Sequence, residues 1–166
     1  MKKALLIASA AEHRWYAVSR DPARPNHLID TNEYVVTTGA DSLLCDPGGS
    51  EVFPAVFAAL SDVIDPRTVQ RIFSSHDFNP QIKCHVSGLW GGFIPHFGGE
   101  DNTIVGIPDE GGTLMIGNAP LTIVPAHYLH SSGNFHLYDP ACKLLFIGDI
   151  GAALLPDADS SLYVED

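Results

Sequence analysis

Positive charge is scarce in this sequence. Nine lysines and arginines face twenty aspartates and glutamates, giving a formal net charge of −11. No basic stripe is available to neutralise a phosphate backbone, which excludes a nucleic-acid footprint. The same deficit argues against docking on an anionic membrane surface. Long apolar runs are also missing. None approaches the ~18 residues a membrane-spanning helix needs. Cysteine is limited to Cys45, Cys84 and Cys142, an odd and widely spaced set without a CxxC pair. That excludes a disulfide framework and fits reduced thiols in a cytoplasm. Finally, there is no GxGxxG, no phosphate-binding Walker loop and no nucleophile elbow.

What is present is apolar and histidine-rich. The hydrophobic fraction is 45 % in 166 residues, enough to bury the core of one domain over residues 1–166. Eight histidines among so many carboxylates supply the donors that bind cations. Met1–Ala10 has the charge and apolar stretch of a short signal peptide. Its apolar part is short and runs straight toward another strand pattern, so a first strand is expected.

Strand-like runs dominate: Lys3–Ile7, Trp15–Ser19, Glu33–Thr38, Ser42–Cys45, Val69–Phe73, Ile82–Val86, Thr103–Ile107, Thr113–Ile116, Leu121–Val124, Phe135–Tyr138 and Lys143–Ile147. Turn chemistry such as Asp46-Pro47-Gly48-Gly49 and Asp109-Glu110-Gly111-Gly112 separates them. A helix is expected over Val52–Ser61, capped by Ser50 with Pro54 in its first turn. A shorter one is expected over Trp90–His96. The class is α+β, a mostly antiparallel set of strands packed face to face and covered by helices, an αββα sandwich.

Two stretches carry metal-binding chemistry. Ile72-Phe73-Ser74-Ser75-His76-Asp77 ends an apolar strand in small residues, a histidine and an acid. A strand end is rigid and the loop after it is open to ligand. Ala126-His127-Tyr128-Leu129-His130 follows another strand, and Asp149 follows Leu144–Ile147. His76, His130 and Asp149 would then be nitrogen and oxygen ligands for zinc, iron or manganese from three strand ends. Spacing equally allows His130 and Asp149 to be turn residues with local hydrogen bonds. Asp46 is either part of a turn that launches the helix or a carboxylate that orients a ligand histidine. Trp90, Phe93 and Phe97 read more readily as core than as pocket wall.

Asp30-Thr31-Asn32-Glu33-Tyr34, Leu44-Cys45-Asp46-Pro47-Gly48-Gly49, Phe73-Ser74-Ser75-His76, Phe93-Ile94-Pro95-His96-Phe97-Gly98-Gly99, His127-Tyr128-Leu129-His130-Ser131-Ser132-Gly133-Asn134-Phe135 and Phe146-Ile147-Gly148-Asp149-Ile150-Gly151 occur in that order. The ordered set, over roughly residues 15–166, resembles the oxygen-binding di-iron proteins, metallo-β-lactamase-fold relatives of the flavodiiron oxygen and nitric-oxide reductases. The resemblance implies a metallo-β-lactamase-like αββα sandwich with a two-iron centre at the strand ends. It makes His76 the first metal histidine, His130 a second and Asp149 the bridging carboxylate, with Asp77 a fourth ligand and His127, Tyr128 and Trp90 at the pocket rim. It also implies oxygen or nitric oxide as ligand, an external electron donor or signalling partner, and a homodimer.

The sequence departs from that family in two places. Further acidic ligands and a helix are expected after the first histidine, yet Asp77 is followed at once by Phe78-Asn79-Pro80. A late histidine is expected beyond the acidic tail, and the sequence ends at Asp166. The expectation is therefore a shortened member with an incomplete ligand set. Two alternatives follow: a zinc hydrolase of the same fold, whose usual His-x-His-x-Asp-His pattern is not seen after Ser75, and a domain that kept the fold and lost the metal.

Overall fold

The computed structural model describes residues 3–18, 32–48, 52–73, 83–93 and 104–150. Within Glu33–Thr38 (β3) neighbouring valines serve two different cores. Val35 packs with the side chains under a helix, and Val36 packs with those of a second sheet. This is the period-two alternation of a strand buried on both faces. Leu43 and Leu44 of Asp41–Cys45 (β4) divide in the same way.

Seven strands form the larger sheet in simple sequence order. Ala4–Ala10 (β1), His13–Val18 (β2), β3 and β4 pair antiparallel. Val69–Phe73 (β5), Lys83–Ser87 (β6) and Ile104–Ile107 (β7) then add in parallel. Half of this sheet is thus parallel, which the expected antiparallel arrangement missed. For β4 and β5 the reason is the helix Phe53–Ser61 (α1) between them, since a crossover of that length returns the chain in the same direction. Gly112–Ile116 (β8), Ala119–Pro125 (β9), Phe135–Asp139 (β10) and Leu144–Phe146 (β11) form a second, antiparallel sheet.

Trp15, Phe73, Ile116, Leu121, Leu137 and Phe146 fill the space between the sheets. Val56 and Leu60 of α1 cover the outer face of the large sheet against Val35, Ile72 and Val86. At ~25 cal/mol per Å² of apolar surface removed from water, these two layers supply the main driving force of the fold. Gly111 is required for close packing. It has φ +78°, and a Cβ there would lie 2.3 Å from the carbonyl oxygen of Ile123. On the open side, β1 forms one border of the large sheet, with Leu5 and Leu6 exposed and a register shift between Leu6 and Ala8.

All eleven expected strands are found, with ends moved by a few residues. The first helix begins at Phe53 with Val52 at its N-cap and no side-chain cap, in place of the cap expected from Ser50. A single turn, Gly88–Gly91 (α2), capped by Ser87, overlaps the start of the expected Trp90–His96 helix, whose residues 94–96, like Phe97, lie outside the described residues. Trp90 and Phe93 are exposed and pack on one another at 5.9 Å, so they are not core. The glycines on either side of Trp90 explain both outcomes, because they weaken the helix and leave the ring no apolar face to join.

Candidate metal centre

Three separated strand ends are brought to one rim. β4 and β5 run parallel with Cys45 opposite Phe73. The next residue, Asp46, donates its backbone N–H to the Phe73 carbonyl at 2.9 Å. Across the gap between the sheets, the Phe73 ring meets Phe146 of β11 edge-on at 6.3 Å. The C-terminal ends of β4, β5 and β11 therefore lie side by side. Asp46 follows the first and Asp149 comes after the third. His76 and Asp77 come after the second and lie outside the described residues.

His130 reaches this rim from the loop between β9 and β10. Its Nε2 is 3.5 Å from Oδ2 of Asp149, and both side chains are about two-fifths exposed, at 43 % and 39 %. They stand open to a ligand from solvent while held close to one another. The Asp46 carboxylate is nearby, with Oδ2 3.7 Å from where a Cβ on Gly148 would be. That position adds negative charge beside Asp149.

The loop bearing His130 is closely tied. Ala126 donates to the Asn134 carbonyl, Tyr128 to Ser131 and Leu129 to Ala126. The Asn134 side-chain amide donates to the Leu129 carbonyl at 2.6 Å, and the Trp90 indole N–H donates to the Ser132 carbonyl at 2.8 Å. These bonds hold Tyr128 at φ +65° and His130 at φ +79°. Non-glycine residues adopt that left-handed conformation at a cost of about 1–2 kcal/mol each, and such strain clusters at functional sites.

The structure separates the expected rim residues. Trp90 supports the His130 loop from α2. Tyr128 is the most exposed of the large hydrophobic residues described, at 83 %. His127 does not face the site: its Nε2 bonds the Asp109 carbonyl at 2.8 Å and its ring sits edge-on to Phe135. It pins the loop to the turn before β8.

Sulfur takes no part at this rim. Burial, and then the charge of Asp46, pushes the Cys84 thiol up to about 12. The same two causes raise Cys45 well above its ordinary value. Both thiols stay protonated in the core, which leaves imidazole nitrogen and carboxylate oxygen as donors. That set suits iron or zinc.

One cluster escaped the sequence reading. His13 Nδ1 donates to Asp139 Oδ2 at 2.8 Å, and Trp15 Nε1 donates to the same oxygen at 2.7 Å. Asp139 Oδ1 accepts from the backbone N–H groups of Ala141 at 2.9 Å and Cys142 at 3.3 Å. His13 and Asp139 lie 126 positions apart and match no spacing motif. The one available signal was the aspartate of Asp139-Pro140, which reads as a turn.

The two sheets and the rim between their strand ends define the metallo-β-lactamase fold. A flavoprotein from Thermotoga maritima shares that fold with a TM-score of 0.62, over 83 % of this chain and 40 % of its own, at 17 % identity. The apo state of chemotaxis sensor ODP from T. denticola is more alike: TM-score 0.84 and 28 % identity over 99 % of this chain and 70 % of that one. The peroxy diiron species of chemotaxis sensor ODP gives 0.79 and 28 %, over 99 % and 69 % of the two chains. The model of the family described as ODP family beta lactamase matches residues 29–166. The chain belongs to this ODP family. No curated protein matches it. Among the described residues, no helix is long and apolar enough to cross a membrane.

Proposed function

We propose that this protein is a non-haem di-iron protein that binds oxygen, with nitric oxide as a second candidate ligand, and that it acts as a sensor. The observation that carries the reading is the 3.5 Å approach of His130 Nε2 and Asp149 Oδ2 at the rim where β4, β5 and β11 end. Membership of the ODP family supports iron, because the relative is a chemotaxis sensor known as a peroxy diiron species.

In this reading His130 gives a neutral imidazole nitrogen and Asp149 a carboxylate. His76 and Asp77 complete the set from the segment after β5. Ferrous ions held there supply open coordination positions and the electrons that oxygen binding draws on. The protein's part is positional. Trp90 and Asn134 fix the loop, Asp46 adds negative potential that favours a cation, and neutral Cys45 and Cys84 keep sulfur away from the metal. An external electron donor or signalling partner reads the state of the site, and the chain works as a homodimer.

The test is metal analysis and absorbance on protein purified without oxygen. Iron close to two per chain and a spectral change on adding oxygen are expected, with both lost in His130→Ala and Asp149→Ala. Zinc in place of iron would instead support the hydrolase reading. Protein that binds neither metal would support a domain that keeps only the fold.

A further inference from the structure

We propose a second metal site, separate from the iron centre: His13, Asp139 and Cys142 form a three-ligand set for one zinc ion that clamps the first hairpin of the large sheet to the β10–β11 turn of the small one. A ring nitrogen of His13, a carboxylate oxygen of Asp139 and the sulfur of Cys142 all lie within 4.8 Å of one another. Nitrogen, oxygen and sulfur in one group favour an ion of borderline softness, and zinc takes all three. One carboxylate and one thiolate balance its charge.

The surroundings are those of a prepared site. Asp139 is fully buried and His13 nearly so. The Trp15 and Ala141 N–H groups hold the carboxylate in place, as outer hydrogen bonds do for metal ligands. His13 also lines an open depression between the β1–β2, β3–β4 and β8–β9 turns, which Asp139 and Cys142 do not line, so solvent meets the group on its His13 side. Tetrahedral ligands at ~2.0–2.1 Å from zinc sit about 3.4 Å apart, so the 2.8 Å contact between His13 Nδ1 and Asp139 Oδ2 opens by a fraction of an ångström.

Without an ion, His13 and Trp15 donate to Asp139, and the Cys142 thiol donates to Asp139 and accepts from the Ala10 backbone N–H. Burial and then the Asp139 charge raise the thiol's pKa. A thiol is a weak donor for such an acceptor. A divalent cation between them turns repulsion between carboxylate and thiolate into shared attraction. Zinc binding releases the thiol proton to solvent, and the imidazole proton moves from Nδ1 to Nε2. Affinity therefore falls as pH is lowered.

The site is distinct from the rim that carries His130. β10 begins at Phe135, just after the His130 loop, and ends at Asp139, so about 13 Å of strand separates the two at ~3.3 Å per residue. The ligands proposed at the iron centre contain no sulfur. A thiolate signal therefore reports only the new site, and its success or failure is independent of the iron reading.

Cobalt(II) titration of the full chain tests this. A near-ultraviolet thiolate-to-cobalt band saturating near one ion per chain is expected. It should bleach on adding zinc, persist in His130→Ala/Asp149→Ala, disappear in Cys142→Ser and weaken by about tenfold or more in affinity in His13→Ala. No band, or a band that survives in Cys142→Ser, overturns the proposal. A second measurement needs no variant. Zinc should slow the reaction of the wild-type Cys142 thiol with a thiol reagent by about tenfold or more, and an unchanged rate overturns it.

Discussion

The indole N–H of Trp90 reaches the carbonyl of Ser132 at 2.8 Å, two residues beyond His130. A one-turn helix thereby anchors a loop of the opposite sheet. Trp90→Phe keeps an aromatic ring and removes the donor. Because the bond is solvent-exposed, global stability should fall by about 1 kcal/mol or less. Affinity for the iron proposed at this rim should fall about fivefold as the His130 loop loosens, read by competition with a chelator. Unchanged affinity would show that the loop holds its shape without the anchor.

Gly133 lies against the same anchor. It has φ +71°, and an added Cβ would meet Ser87 Oγ at 2.6 Å and Trp90 Nε1 at 3.3 Å. Gly133→Ala should cost about 2–4 kcal/mol, part from the left-handed backbone and part from crowding. Combining it with Ser87→Gly should recover some of the crowding and none of the backbone part. Urea denaturation of the two variants separates the contributions.

His85 makes stability depend on pH. Burial first, then the charges of Arg71 and Lys83, lowers its imidazole to about 4. Its Nε2 is buried without a hydrogen-bond partner among the described residues. Unfolded, the group titrates near ~6.5. As pH falls from about 6.5 the unfolded chain takes up a proton that the folded chain refuses, so stability is lost between about 6.5 and about 4. The loss is about 3 kcal/mol at most. His85→Gln should flatten this part of the profile, measured by urea midpoints at successive pH values.

Asp139 acts at lower pH. Burial pushes its carboxyl up, but hydrogen bonds from Trp15, His13 and Cys142, with the charge of His13, outweigh that and bring it below the usual range. Its folded form holds off the proton longer than its unfolded form. The stabilisation is complete above the unfolded value of ~3.9 and fades as pH falls through the depressed folded value. Asp139→Asn should cost about 2–4 kcal/mol at neutral pH, since an amide cannot accept all these donors. It should also shrink the acid-side loss, seen as a shallower fall in melting temperature below pH 4.

Strand positions were legible because short apolar runs bounded by turn residues are local signals: Tyr34-Val35-Val36 and Leu43-Leu44-Cys45 before Asp46-Pro47-Gly48 show it directly. Strand direction was not. The parallel pairing of β4 to β7 is set by crossovers, and nothing in the paired residues encodes it. His130 and Asp149 were legible as polar groups after apolar strands, and their proximity was expected from the ordered motifs. The turned-away ring of His127 depends on Asp109, 18 residues earlier. The His13–Asp139–Cys142 group joins two hairpins whose mutual placement exists only after the sheets pack.

Among the described residues, Ala4–Ala10 forms a border of the large sheet, which has consequences for handling the protein. No charge guards this strip, and Leu5 and Leu6 are about half exposed, at 48 % and 54 %. In a concentrated stock, such a strip is where molecules adhere to one another. The irregularity between Leu6 and Ala8 cuts it into Ala4–Leu6 and Ala8–Ala10, so an intruding segment finds only three matched positions before its ladder breaks. Shelf life thus depends on one misfit residue, Ile7, in a place where other proteins set a lysine.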